Sequence, residues 1–156
     1  MKEIPLTKGY VALVDDEDFE ALSAYRWHAL KGRNGKKYAI SYPRRSGKTI
    51  YVYMHRLVLR AAPGILVDHI NHNGLDNRRV NLRLATNAEN SANRVKPACN
   101  TSGYKGVFPC TTGGRWFARV QKKYLGTFPT PESAARAYDT AATKMYGEFA
   151  LKNFNE

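Results

Sequence analysis

The sequence predicts an α+β fold in two halves. Three observations carry this: short β-branched and aromatic runs bounded by Gly, Pro and Asn, only a few stretches with a recognisable helix start, and a linker-like composition at residues 96–103. The two halves share no internal repeat. A length of 156 residues accommodates one domain or two small ones.

In chain order, residues 9–14 (GYVALV) read as a short strand. Asp15 to Asp18 place negative charge where the positive end of a helix dipole begins, and Phe19, Leu22 and Tyr25 continue that helix. Two strands are expected at 37–42 and 49–54, joined across 44–48 with Gly47 in the turn. Residues 54–61 (MHRLVLRA) fit a continued strand or a short helix, and periodicity leaves both open. Residues 65–70 read as a strand, 71–81 as a long polar loop, and 82–84 as a second short strand. Thr86, Asn87, Ala88 and Glu89 form a capping box, which predicts a helix to about Val95. Residues 104–154 predict three strands and then a helix. Along 115–120, Trp116, Ala118 and Val120 take one face and Arg115, Phe117 and Arg119 the other. Thr130, Pro131 and Glu132 start the final helix, whose Ala134, Tyr138, Ala141 and Met145 share a face, and Gly147 ends it.

Composition narrows the function classes. Lys plus Arg number 25 against 13 Asp plus Glu, a formal net charge of +12, which points to a polyanionic partner. No apolar run approaches the roughly 20 residues that span a bilayer, and no signal-peptide pattern follows Met1. Cys99 and Cys110 form neither a C-x-x-C pair nor a disulfide framework. A protein of a reducing cytoplasm, without a membrane partner, is the expectation. From Lys31 to Val67 there is no acidic residue, and Tyr38, Tyr42, Tyr51 and Tyr53 interleave with the basic ones. Such a ribbon suits phosphate contact, with Lys31, Lys36, Lys37, Arg44 and Arg45 as candidates. The plain alternative is a solvated basic face.

Side chains able to do chemistry concentrate in residues 68–93 (DHINHNGLDNRRVNLRLATNAENSAN). Asn is a poor helix and strand former, so its density here is unusual for a structural hairpin. An Asn-rich turn accounts for Asn71, Asn73, Gly74 and Asn77. It accounts less well for Asp68 and His69, set between Val67 and Ile70, or for Asn90 and Asn93 in an expected helix. A carboxylate for a divalent cation, a neutral His as base and an amide oxygen as second ligand are the parts for metal-assisted phosphodiester hydrolysis.

With MHRLVL, VDHINHNGLDNRRVNLRLAT and NAENSANR in order, residues 54–94 resemble the HNH endonucleases of ββα-metal fold, in the form found in phage and mobile-intron homing enzymes. The resemblance implies the following roles. His69 is the general base, Asn81 orients it through a hydrogen bond, and Asp68 and Asn90 hold Mg²⁺ or Mn²⁺. Asn90 stands where many relatives have His, an H-N-N form of the motif. Neighbours on a regular strand point to opposite faces, so Asp68 and His69 serve one site only if the strand breaks there. His72 reads as a turn residue and His55 as one that packs or contacts backbone, and His28 has no assigned chemistry.

The last segment has its own resemblance. YKGV, RWFARV, YLGTF and AARAYDTAATKMYGEFALKNF are similar to the plant APETALA/ethylene-response-factor (AP2/ERF) DNA-binding domain. The resemblance implies a three-stranded antiparallel sheet laid in the DNA major groove with a helix behind it. By alternation the reading face would present Lys105, Phe108, Arg115, Phe117, Arg119, Gln121, Lys122 and Tyr124. The plant pattern departs at Phe108, Pro109 and Cys110, which replace an Arg-rich first strand, and at Tyr124, which replaces a Trp.

The sequence therefore predicts four parts: a basic α+β extension (1–53), a ββα-metal nuclease module (54–95), a linker (96–103) and an AP2/ERF-like domain (104–154). The expected activity is sequence-specific, homing-type cleavage of double-stranded DNA by a monomer, in the cytoplasm of a bacterial or phage-infected cell. The alternative from another class is a DNA-binding transcriptional regulator with a vestigial nuclease element. An RNA-binding module has only the basic, aromatic ribbon behind it.

Overall fold

A computed structural model of the chain describes residues 1–32 and 35–154. The chain forms two compact units, Met1–Thr86 and Asn87–Glu156, each with its own apolar core.

The first unit opens with a strand that the sequence does not announce. β1 (Lys2–Pro5) pairs antiparallel with β2 (Val11–Val14), Lys2 opposite Val14. β1 supplies one buried apolar side chain, Ile4, so no alternation was there to be read. α1 (Asp16–Ser23) follows with Asp16, Glu17 and Asp18 in its first turn, where the helix dipole favours them. β3 (His28–Lys31), β4 (Lys37–Ser41), β5 (Arg44–Arg45), β6 (Lys48–Thr49) and β7 (Val52–Tyr53) come next. β3, β4 and β7 make a three-stranded antiparallel sheet, and β5 with β6 a small separate hairpin. The single strand expected at 49–54 is thus two pieces in two sheets. α2 (Met54–Val58) resolves the open choice in favour of helix. After it, the Arg56 guanidinium donates to the carbonyls of Ala61, Ala62 and Ile65 and closes the following turn. β8 (Leu66–His69) and β9 (Leu82–Ala85) form an antiparallel pair.

One core unites this whole unit. Ile4, Leu6, Ala12, Val14, Leu22 and Trp27 pack with Ala39, Met54, Val58 and Leu82. The expected boundary at 53/54 is therefore not a packing boundary. Residues 54–86 contribute too few apolar side chains to close a core, so they share one with the N-terminal strands.

The second unit begins with α3 (Asn87–Ala92), which ends three residues before the expected Val95. Its last carbonyl, on Ala92, accepts from the Leu151 amide and from the Lys105 ammonium. The expected module 54–95 is therefore divided between its second strand and its helix. Residues 96–103 are more ordered than their composition suggests: Asn100 donates to the Tyr104 carbonyl, and the Ser102 hydroxyl reaches the carbonyls of Tyr104 and Val107. β10 (Val107–Pro109), β11 (Trp116–Val120) and β12 (Lys123–Phe128) form an antiparallel sheet, with a register shift between Ala118 and Arg119. α4 (Pro131–Tyr146) is capped by the Thr130 hydroxyl, which accepts from the Ser133 amide. Its buried stripe is Ala134, Ala135, Tyr138 and Ala142, which packs on Val107, Ala118 and Val120. Met145, expected on that stripe, is exposed.

The fit of helix to sheet is close. At Gly106 (φ 74°) a Cβ would stand 2.0 Å from the Tyr138 ring. Buried Asp139 accepts from the amides of Asn153 and Phe154, and Asn153 in turn brackets the backbone of Lys105. The terminal KNF thus ties the chain end to the start of the sheet. No helix among the described residues is long and apolar enough to cross a membrane.

Candidate active site

β8 delivers Asp68 and His69, both buried. Asp68 stands opposite Arg83 on β9, and His69 opposite Leu82. The two neighbours have different surroundings, as alternation requires, and the strand stops at His69 instead of breaking between them. Both Nε and Nη2 of Arg83 approach Asp68 Oδ2, at 3.0 and 2.9 Å. The His69 ring stands edge to face against His55 at 5.1 Å and lies 5.9 Å from Tyr38.

His69 Nε2 lies 3.5 Å from Asn77 Oδ1. Asn77 Nδ2 donates to the Leu75 carbonyl, which fixes which end of that amide is oxygen. An amide oxygen only accepts, so Nε2 carries the proton and Nδ1 the lone pair. Burial holds the imidazole below its ordinary pKa, against the opposing pull of Asn77, Asp68 and Asp76. His69 is therefore neutral near pH 7, the form a general base needs.

Asn81 does a different job from the expected one. Its Nδ2 donates to the Asp76 carbonyl (2.8 Å) and its Oδ1 accepts from the Asn71 amide (2.9 Å), so both ends of the side chain hold the loop backbone. Asn77, which the sequence left as an ordinary turn residue, is the amide facing His69. Its burial was the missing signal: its side chain is 0% exposed.

The loop between β8 and β9 is built almost wholly from such polar contacts. Asn71 donates to Asp76 (2.9 Å), and the Asn71 and Asn73 oxygens accept from the amides two residues ahead. Arg78 forks onto Asp76 with two contacts of 2.7 Å and holds that carboxyl below the usual range. β2 anchors the loop: the Leu13 amide donates to the Leu75 carbonyl and the Asn77 amide to the Leu13 carbonyl, each at 2.8 Å. Arg79 pairs with Glu17 and Asp18 at the start of α1, and its amide donates to Asp15. Gly74 presses on β4 so closely that a Cβ would meet the Lys37 carbonyl at 2.3 Å.

His55 was expected only to pack. It lies among His69, Tyr53 and Tyr38, and among the described residues its buried Nδ1 has no hydrogen-bond partner. Burial, with His69 and Arg56 nearby, lowers its pKa to about 3. His72 sits in the turn at φ 64°, as expected, and His28 lies against Tyr42. Asn90, the expected amide ligand, lies on α3 of the second unit.

Among the described residues, no group of three or more His, Cys, Asp or Glu gathers to hold a metal. A closed zinc-type cage is thus not what these donors offer. One buried carboxylate fits Mg²⁺ or Mn²⁺, hard cations commonly held by one or two carboxylates together with water and phosphate oxygens.

Of the expected DNA contacts, Arg44, Arg45 and Lys31 are exposed, the first two on the β5–β6 hairpin. Lys31 and Lys37 face each other across β3 and β4, and the Lys37 ammonium lies over the Tyr10 ring at 4.5 Å. Lys36 adjoins the start of β4. Residues 33 and 34, between Lys31 and Lys36 in sequence, lie outside the described residues. In the second unit Phe117, Arg119 and Tyr124 lie on the sheet face away from α4. Gln121 and Lys122 make the β11–β12 turn, and Arg115 donates to the Thr127 carbonyl. Lys105 precedes β10 and its ammonium binds the Ala92 carbonyl, with burial lowering its pKa to about 8.

The hairpin thus sets a strand-end His beside a carboxylate and closes them with an Asn-rich loop and a second strand. Comparison with known proteins supplies its class. A profile of HNH endonucleases matches residues 52–92. An uncharacterized HNH endonuclease of Acanthamoeba polyphaga mimivirus is 34% identical over 153 residues, 94% of this chain and 76% of that protein. The chain belongs to the HNH endonuclease family, whose substrate is DNA and whose members generally depend on a divalent metal.

The C-terminal part has separate relatives. It is similar to an AP2/ERF and B3 domain-containing protein of Oryza sativa subsp. japonica, 48% identical over 61 residues, which is 36% of this chain and 16% of that protein. It is also similar to the AP2-like ethylene-responsive transcription factor ANT of Arabidopsis thaliana, 47% identical over 58 residues, 33% of this chain and 10% of that protein. The match thus spans a small fraction of either plant protein.

Proposed function

We propose that the chain is a sequence-specific, homing-type DNA endonuclease in which His69 takes the proton from the attacking water. The observation that carries this is the buried imidazole whose Nε2 faces the Asn77 amide oxygen, an arrangement that leaves the lone pair on Nδ1. His55 and Tyr38 limit the ring's rotation. Asp68 is the carboxylate to hold Mg²⁺ or Mn²⁺, and the resemblance alone names Asn90 as a second donor. A bound divalent ion would offset charge on the phosphorane and on the leaving 3′ oxygen. Asn81 supports the site by fixing the loop that carries Asn77. Basic groups of the first unit contact phosphates, and the sheet of the second unit reads bases.

One observation favours a second reading. Asp68 is already paired with Arg83, which suits a DNA-binding regulator that keeps the hairpin as scaffold. Incubating the chain with plasmid and phage DNA, with and without Mg²⁺, separates the two. Nicks or breaks that need the ion, and that fall at least ~10²-fold in His69→Ala at unchanged DNA affinity, support the nuclease. Equal activity of His69→Ala in EDTA removes this site from the chemistry, and site-specific binding without any cleavage supports the regulator.

A further inference from the structure

The exposed face of the C-terminal sheet carries a row of aromatic rings. Phe108 and Phe117 are direct cross-strand partners, and their rings stack 5.2 Å apart at 23°. Two rings lying flat side by side on the sheet would collide at that spacing, so the pair is stacked with one ring face against the other. Tyr124 extends the row at 6.2 Å from Phe117 and is 60% exposed. The polar groups of this face are largely engaged within it. The Tyr124 hydroxyl shares a hydrogen bond with Thr127, Arg115 donates to the Thr127 carbonyl, and the Arg119 guanidinium lies over the Phe108 ring at 4.7 Å.

A stacked pair is a poor platform for unpaired bases, because each ring already spends a face on the other. What it offers is an apolar surface. The major groove shows one apolar group on its base edges, the thymine C5 methyl. We propose that the Phe108–Phe117 pair selects DNA by contact with thymine methyl groups, with Arg119 placed beside it to fork onto a neighbouring guanine. This rests on the reading of the sheet as the base-reading surface. It assigns the target chemistry: a short thymine-bearing stretch next to a G·C pair. A cytosine methylated at C5 carries the same methyl at the same place and substitutes for thymine there.

The test uses the full chain in EDTA, which prevents cleavage, on a randomised duplex pool followed by binding to the enriched sequences. Thymine-bearing sequences should be enriched. Each thymine replaced by uracil, which removes only the methyl, should weaken binding about fourfold, the factor for losing one buried CH₂-sized contact. Replacing that uracil pair by 5-methylcytosine–guanine should restore affinity. Phe117→Ala should bind thymine and uracil duplexes equally, while Phe117→Leu, which keeps an apolar side chain, should retain part of the preference; thermal melting confirms that each variant folds. If Arg119→Ala loses target affinity but the wild type binds thymine and uracil duplexes alike, the methyl contact is wrong and the sheet remains the reader. If Phe117→Ala and Arg119→Ala both bind every duplex as the wild type does, or if no sequence is enriched, the sheet is not the reader and both ideas fall.

Discussion

The two units hold their working parts in place by opposite means. In the second, a stripe of alanines on α4 presses against Val107, Ala118 and Val120, and apolar packing does most to fix sheet to helix, with the Asp139–Asn153 tie beside it. In the first, the loop carrying Asn77 is positioned by Asn71, Asn73, Asp76, Arg78, Arg79 and Asn81, through hydrogen bonds and ion pairs, with Leu75 as its apolar contact to the core. Apolar packing sets how stable a unit is. A polar lattice sets where a few atoms stand while contributing modestly to stability, because each intramolecular hydrogen bond replaces one to water.

Matched glycine substitutions are the sharpest way to break the contrast. Gly106→Ala drives a methyl into Tyr138 at a positive φ, and should cost the second unit at least ~1–3 kcal/mol, read as an early calorimetric transition. Gly74→Ala also clashes, against Lys37 and Tyr38, but should lower cleavage far more than the melting temperature of the first unit. If both lose only stability, the loop is not held independently of the core.

Asn77→Ala should reduce the cleavage rate by about 10–100-fold, the range for residues that orient a reacting imidazole. Asn77→Asp distinguishes orientation from bulk support. A carboxylate facing His69 raises its pKa, so the acidic limb of the rate–pH profile should move to higher pH. An unmoved limb would show that Asn77 does not act through His69.

Acid should separate the units next. All four histidines lie in the first unit. His55 has a folded pKa of about 3 against 6.5 for the free side chain, so below pH 6.5 the unfolded chain binds the extra proton. Its stabilising effect is complete above pH 6.5 and is lost as pH falls toward 3, at up to about 1.4 kcal/mol per pH unit. Denaturant titrations from pH 7.5 to 5 should weaken the first unit and leave the second unchanged, and His55→Phe should flatten the difference.

The smallest effect concerns charge. Replacing Arg44 or Arg45 by Ala should weaken target and random DNA about equally and lower the salt slope by about one unit. Selective loss on the target would make the β5–β6 hairpin a base reader.

Legibility in the sequence followed the range of the interactions. α4 and its cap were readable because Thr130, Pro131 and the alanine spacing are local signals, and so was the alternation of Trp116, Ala118 and Val120. The Asp68–His69 pair was readable as part of a long ordered motif. β1 and β3 were not, since KEIP and HALK show no alternation and owe their strand form to partners elsewhere in the chain. Lys105 looked like a solvent-facing base, because nothing nearby in sequence says that the Ala92 carbonyl will take its ammonium. Asn77 faces His69 while Asn81 holds the loop backbone; both are Asn in a polar loop, and only burial and bonding geometry tell them apart.

The junction of Leu13 with Leu75 and Asn77 has a consequence for handling this nuclease as a cassette. The stretch bearing the family motif cannot be transplanted alone, since the backbone that aims its base is stitched to a strand some sixty positions upstream. A fusion that grafts only residues 52–92 onto another DNA-targeting protein carries the motif without its mounting. A graft that starts at residue 1 brings the mounting with it, and one that runs through residue 92 also keeps Asn90.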